Sequence, residues 1–228
     1  MLGPLSERFE VFAMDLVGFG KSGRKPVQPY FDYKLWLRQA AALLARIAGE
    51  RPGAPIGVIG HSLSGSLAAQ EKAVAAVMTT GSMGGHFEAN AATRRCWSGP
   101  RSREDLVLTL QGLIRDHSII DEAYLAAREP VVFAPGYADY FDAMFKGDPA
   151  RYIKAAALPA ATLKKIACPV LMLHGREDAP FPPTSSVQIA ERIAQADLVL
   201  LADCSHSVAF ERSATFLALA TEFFGRLK

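Results

Sequence analysis

Apolar residues along this chain fall into two alternating periodicities. Short runs rich in β-formers, Phe9 to Leu16 (FEVFAMDL), Ile56 to Ile59, Val74 to Thr79, Pro169 to Leu173 and Leu198 to Leu201, are too short for helices and read as buried strands. Between them apolar positions recur three and four apart: Leu37, Ala41, Leu44 and Ile47 after Tyr33, a stretch from Val187 to Ala194, and Phe216, Leu219 and Phe223 near the end. That is helical spacing. Gly18-Phe19-Gly20 and Arg51-Pro52-Gly53 punctuate the pattern. Strands without a polar face, alternating with helices, predict an α/β fold: a mostly parallel sheet flanked by helices on both faces.

The alternation lapses once. Beyond Gly81-Ser82-Met83-Gly84-Gly85, Leu106, Leu110, Leu113 and Ile114 share a helical face, and no convincing strand appears before Leu158. Residues 86–158 are therefore expected to form a helical cap inserted into a core built from residues 1–85 and 159–228.

Composition narrows the functions available. The 228 residues are 50% hydrophobic and 21% charged, enough to bury one sizeable core. With 25 Lys and Arg against 23 Asp and Glu, the net charge of +2 offers no basis for binding nucleic acid or anionic membrane. No apolar run reaches spanning length, and Met1-Leu2-Gly3-Pro4 carries no leader signature, so a soluble, cytoplasmic protein acting on a small molecule is expected. Cys96, Cys168 and Cys204 are an odd count without metal-binding spacing, which predicts buried free thiols and neither a metal nor a cofactor. Homo-oligomerisation stays open.

The chemistry centres on Gly60-His61-Ser62-Leu63-Ser64, placed between a strand and a helix. A serine on so tight a turn requires small residues two positions to either side, which Gly60 and Ser64 supply, and the arrangement is that of a nucleophile elbow. A serine hydroxyl needs a base, and the base needs an acid to orient it. Asp178 and His206 each follow a predicted strand, in the chain order Ser, Asp, His, at the edge where ligand groups collect in open α/β sheets. Asp203 competes for the acid role, but it shares the loop of His206 and would have to fold back, so Asp178 is preferred. The other histidines, His61, His86, His117 and His174, read as surface or supporting residues. Asp15 to Ser22 ends like a phosphate loop but lacks its first glycine and a following helix, and Gly81 to Gly85 fails dinucleotide spacing and reads as a hinge into the cap.

With these residues placed, the chain resembles the α/β-hydrolase superfamily over nearly its whole length, through Asp15 to Ser22, His174-Gly175-Arg176-Glu177-Asp178 and Cys204-Ser205-His206. Within it, Asp116 to Glu122 with Arg128, Met144-Phe145, and Gly81-Ser82-Met83-Gly84 are similar to the meta-cleavage product hydrolases, which split a carbon–carbon bond in 2-hydroxy-6-oxo-dienoates. The resemblance implies that Arg128 approaches the substrate carboxylate. His61 and Ser207 stand where many of those enzymes carry Asn and Trp, which keeps a carboxylic ester hydrolase as the alternative. The superfamily also begins with further strands and a His-Gly loop, and Phe9 to Leu16 matches its fourth strand. The chain is thus expected to be N-terminally truncated relative to the family, through a misplaced start, a shortened gene or divergence. It would be left with one oxyanion donor, the Leu63 N–H, or be a degenerate, non-catalytic fragment.

Overall fold

The computed structural model describes residues 2–68 and 74–227. Four strands, β1 (Gly57–His61), β2 (Ala76–Thr80), β3 (Val170–Gly175) and β4 (Ala196–Leu201), form one parallel sheet in the order β1-β2-β3-β4. Val58 pairs with Val77, Thr79 with Met172, and Leu173 with Val199, so the sheet is in register along its length. Every residue of the central strands β2 and β3 is buried, whereas the edge strands β1 and β4 are partly exposed.

The two faces follow the period-2 alternation of side chains. Ala76, Met78, Leu171 and Leu173 point to one face. There they pack with Val208, Phe216, Ala220 and Phe224 of α12 (Val208–Glu211) and α13 (Ser213–Gly225). Val77, Val170 and Met172 point to the other. They meet Leu44 of α2 (Tyr33–Glu50), Ala68 of α3 (Leu63–Ala68) and Ile189 of α11 (Thr184–Ala190). The expected α/β fold with helices on both faces is present. The Ala-rich stretch expected to continue after the elbow runs into residues 69–73, which lie outside the described residues.

Helix α2 begins where the Asp32 carboxylate accepts the Leu35 N–H at 2.9 Å, satisfying one of the free donors of a first turn. The bond to Lys25, and then that N–H, hold the Asp32 carboxyl below its ordinary pKa. Leu44 and Ile47 are buried as the periodicity predicts, but the fully buried anchor is Trp36, whose indole N–H donates to Val17 O at 2.9 Å.

The segment Phe9 to Leu16 corrects the sequence reading: it is not a strand. A strand persists only when its backbone groups find a neighbour, and here a cleft of about 1320 Å³ intervenes, with Phe9, Phe12 and Met14 on one side and Gly57, Val58 and Ile59 of β1 on the other. The segment is tied down instead by side chains, through the Glu10–Arg51 ion pair and the edge contact of Phe9 with Phe224.

Between β2 and β3 the described chain is helical and contains no strand. Its longest helix, α5 (Arg103–Leu113), is capped by Ser102, which accepts the Asp105 N–H, and carries Glu104 and Asp105 in its first turn. Leu106 and Leu110 of α5 pack on Leu125 of α6 (Glu122–Ala126). Farther along, Tyr140 and Met144 of α8 (Tyr137–Met144) close over Trp36 and Leu67.

Because Trp36 joins α2, the Val17 turn and α8, removing it should cost more than any exposed apolar residue. Trp36→Ala is expected to lower the unfolding free energy in urea by about 3–5 kcal/mol. A loss below about 1 kcal/mol would contradict this placement.

Candidate active site

The C-terminal ends of the four strands converge on one site. At the end of β1, Ser62 has a φ of 55°, a left-handed conformation that is strained for any residue with a Cβ. Its N–H donates to Thr80 O at 2.9 Å, while its carbonyl accepts from Gly65 N at 3.0 Å and from Met83 N at 3.1 Å. Three hydrogen bonds, to the end of β2, to the loop after it and to the first turn of α3, thus hold the turn. A Cβ at Gly60 would lie 2.5 Å from Ser64 O, so position 60 takes glycine, a stricter demand than the small residue of the elbow reading.

At the end of β3, Asp178 is buried and its carboxylate is fully occupied. Its Oδ2 accepts from His206 Nδ1 at 2.7 Å and from His174 Nε2 at 3.1 Å, and its Oδ1 accepts from Phe181 N at 3.0 Å. Burial works to raise the Asp178 pKa, but the two imidazoles outweigh it and hold the carboxyl below its ordinary value. Asp203 lies elsewhere: it is exposed, in a left-handed conformation, and faces Arg115 at 3.5 Å.

His206 follows β4 on a loop fixed from both sides. Cys204 N donates to the Glu177 carboxylate at 3.0 Å, and Ser205 N to Glu211 at 2.9 Å. The ring lies against Phe181, centroids 4.5 Å apart, and against His61 at 4.6 Å. At the end of β2, Gly81 has a φ of 52°, and a Cβ there would stand 2.8 Å from His206 Nδ1. The glycine read from sequence as a hinge is therefore also the seat of the histidine.

Ser62 and His206 line one cavity of about 410 Å³, whose remaining walls include Phe19, Phe31, Met83, Trp97, Phe141 and Phe145. Met14, Asp15 and Leu16 border it, so the Asp15 to Ser22 turn, closed by Lys21 N on the Asp15 carboxylate at 2.8 Å, forms part of its wall. Leu63 opens α3 directly after the serine, with its side chain on the same cavity.

Arg128 lies elsewhere. It lines the larger cleft, together with His61, Leu113, Ser207 and Phe210, and Leu113 and His61 also border the Ser62 cavity. Its guanidinium donates to Tyr124 O at 2.9 Å and sits 3.2 Å from the Tyr124 ring centroid. Burial lowers its pKa.

Two residues were undervalued from sequence. His61 presents its ring to both cavities while Nδ1 is held by Thr80 O at 3.0 Å. His61 as a whole is exposed, on the side of the cleft. His174 is wholly buried beside Asp178. A histidine inside an otherwise apolar strand, four residues before an acid, was the available signal. Of the cysteines, Cys204 is buried and Cys96 and Cys168 are half-buried; all are free, and burial pushes Cys96 and Cys204 up to about 12. Among the described residues no cluster of His, Cys, Asp or Glu could hold a metal ion, and no helix is long and apolar enough to cross a membrane.

Residues 1–219 match the model of the alpha/beta hydrolase family, and the chain belongs to that family of enzymes. Its relatives are more particular. It is 25% identical to 2-hydroxymuconate semialdehyde hydrolase of Pseudomonas sp. strain CF600, over 96% of this chain and 77% of that protein. It is also 25% identical to 2-hydroxy-6-oxo-2,4-heptadienoate hydrolase of Pseudomonas putida F1, over 96% and 79%. A solved meta-cleavage product hydrolase from Pseudomonas fluorescens IP01, complexed with acetates, superposes with a TM-score of 0.89 at 26% identity, covering 98% of this chain and 82% of that one.

Gly81→Ala should displace the His206 ring and slow the reaction of Ser62 with a fluorophosphonate by about 100-fold, since a misplacement near 1 Å can cost that much. Labelling at the wild-type rate in a folded variant would show that the ring does not depend on Gly81.

Proposed function

We propose that this protein is a serine hydrolase that cleaves the C5–C6 bond of 2-hydroxy-6-oxo-dienoates. The observation that carries the reading is the buried Asp178–His206 pair opening onto the same cavity as a serine held at φ 55°. The relatives' substrates favour this class over other hydrolases. The helices between β2 and β3 act as the cap under which substrate is held.

In this reading Asp178 fixes the proton of His206 on Nδ1, leaving Nε2 to activate the Ser62 hydroxyl, or a water beside it, for attack on the C6 carbonyl. The Leu63 N–H stabilises the resulting oxyanion. A carbon–carbon bond can break here because the 2-hydroxy-dienoate, once ketonised, offers an electron sink. The electron pair of the C5–C6 bond passes along the conjugated chain to the C2 oxygen, and His206 returns the proton it took from the nucleophile. Where water attacks, the carboxylic acid leaves directly; where Ser62 attacks, the C6 acyl group stays on the serine oxygen until a water, deprotonated by His206, displaces it. The products are a carboxylic acid and a 2-hydroxy-dienoate. Aromatic walls around the cavity exclude water and accept an apolar C6 substituent. Arg128, on the adjoining cleft with His61 and Ser207, meets the carboxylate.

One observation favours a carboxylic ester hydrolase instead: Arg128 is engaged by Tyr124 and does not border the Ser62 cavity. An ester without a carboxylate would not need it.

The two readings separate with one pair of substrates. Wild type should bleach the chromophore of 2-hydroxy-6-oxohepta-2,4-dienoate, and Ser62→Ala should lose this turnover along with fluorophosphonate labelling. In Arg128→Gln, kcat/KM for the dienoate relative to a neutral p-nitrophenyl ester should fall roughly tenfold to a hundredfold, the worth of one hydrogen bond to a charged group. An unchanged ratio would put the esterase reading ahead.

A further inference from the structure

His174 takes no part in the mechanism above, yet it is wholly buried and both of its ring nitrogens have polar partners. The geometry points to His174 as a positioning residue, a second imidazole that fixes the Asp178 carboxylate in the orientation His206 requires; this rests on the serine-hydrolase reading but not on the substrate class. Its Nε2 lies 2.8 Å from Phe181 O and 3.1 Å from Asp178 Oδ2. Both are acceptors, so Nε2 carries the proton and donates to the two together. Its Nδ1 lies 2.7 Å from the Ser186 hydroxyl, which donates to it and fixes that tautomer. Phe181 N closes the ring of bonds on Asp178 Oδ1 at 3.0 Å. The carboxylate thus has no rotation left that keeps all three donors.

Burial alone would press Asp178 toward its protonated form, in which it no longer accepts from His206 in the ionised state that stabilises a developing imidazolium. His206 and His174 are in contact with it, and His61, Cys96 and Cys204 face it from β1, α4 (Ala91–Cys96) and the His206 loop. Taking away the His174 donor removes one of the three that hold the carboxylate ionised and oriented. The Asp178 carboxyl then gains a proton more readily and is free to turn away from His206 Nδ1, so the imidazole is held less firmly.

The test reads the rate of Ser62 labelling by a fluorophosphonate at neutral pH, which needs no knowledge of the natural substrate, together with the low-field proton NMR resonance of the His206 Nδ1–H in its bond to Asp178. His174→Leu should label about 10- to 100-fold more slowly, and that resonance should move upfield or broaden beyond detection. His174→Gln, whose amide N–H can replace the Nε2 donor, should recover most of the rate and the resonance. Ser186→Ala, which frees the tautomer without opening a large cavity, should move both in the same direction by less, and it keeps the inference testable if His174→Leu does not fold. Slowed labelling with an unmoved resonance in all three variants would overturn the inference, as would a His174→Gln variant no better than His174→Leu. A wild-type protein that does not label at all would overturn the serine-hydrolase reading itself, and the inference with it.

Discussion

The site depends on one buried carboxylate. Asp178 sits at the end of a central strand, out of contact with water, where an unpaired charge would cost several kcal/mol. It is tolerated because three donors converge on it: His206, His174 and the Phe181 amide. Each is fixed by something else in turn. His206 rests on Gly81, His174 on Ser186, and Phe181 on the turn that leads into α11. The orientation of His206 is therefore set by the sheet, its helices and its loops together.

A parallel sheet makes this convergence possible. All four strands point the same way, so their following loops share one edge, and residues separated by more than a hundred positions meet there. β2 contributes no reacting group but touches both halves: Thr80 and Met83 hold the serine turn, and Gly81 seats the histidine. The helices between β2 and β3 complete the apolar walls.

What was legible in the sequence follows from whether the determinant is local. The elbow could be read because a left-handed serine demands small neighbours at fixed spacing, and Asp178 and His206 because loops after strands are recognisable by pattern. Strand β3 was placed within two residues because a buried parallel strand is apolar throughout. The segment Phe9 to Leu16 misled for the same reason: its composition is that of a strand, but pairing is a property of the neighbour, and a cleft stands where the neighbour would be. The sequence reading of His174 as a surface or supporting residue leaves those two roles undivided, because its burial and its contacts with Ser186 and Phe181 are set by tertiary packing. The position of Arg128, beside the serine cavity and not on it, depends on how the helices of the insertion pack, which the periodicity of single helices does not determine.

The central claim, that Asp178 orients the base, is tested most directly by comparing Asp178→Asn with Asp203→Asn in the rate of Ser62 acylation at neutral pH. An amide at position 178 cannot hold the His206 proton on Nδ1 in the way the carboxylate does, so a loss on the order of 10⁴-fold is predicted there. Asp203, exposed beside Arg115, should change the rate little. A greater loss in Asp203→Asn than in Asp178→Asn would contradict the account and move the acid to the His206 loop.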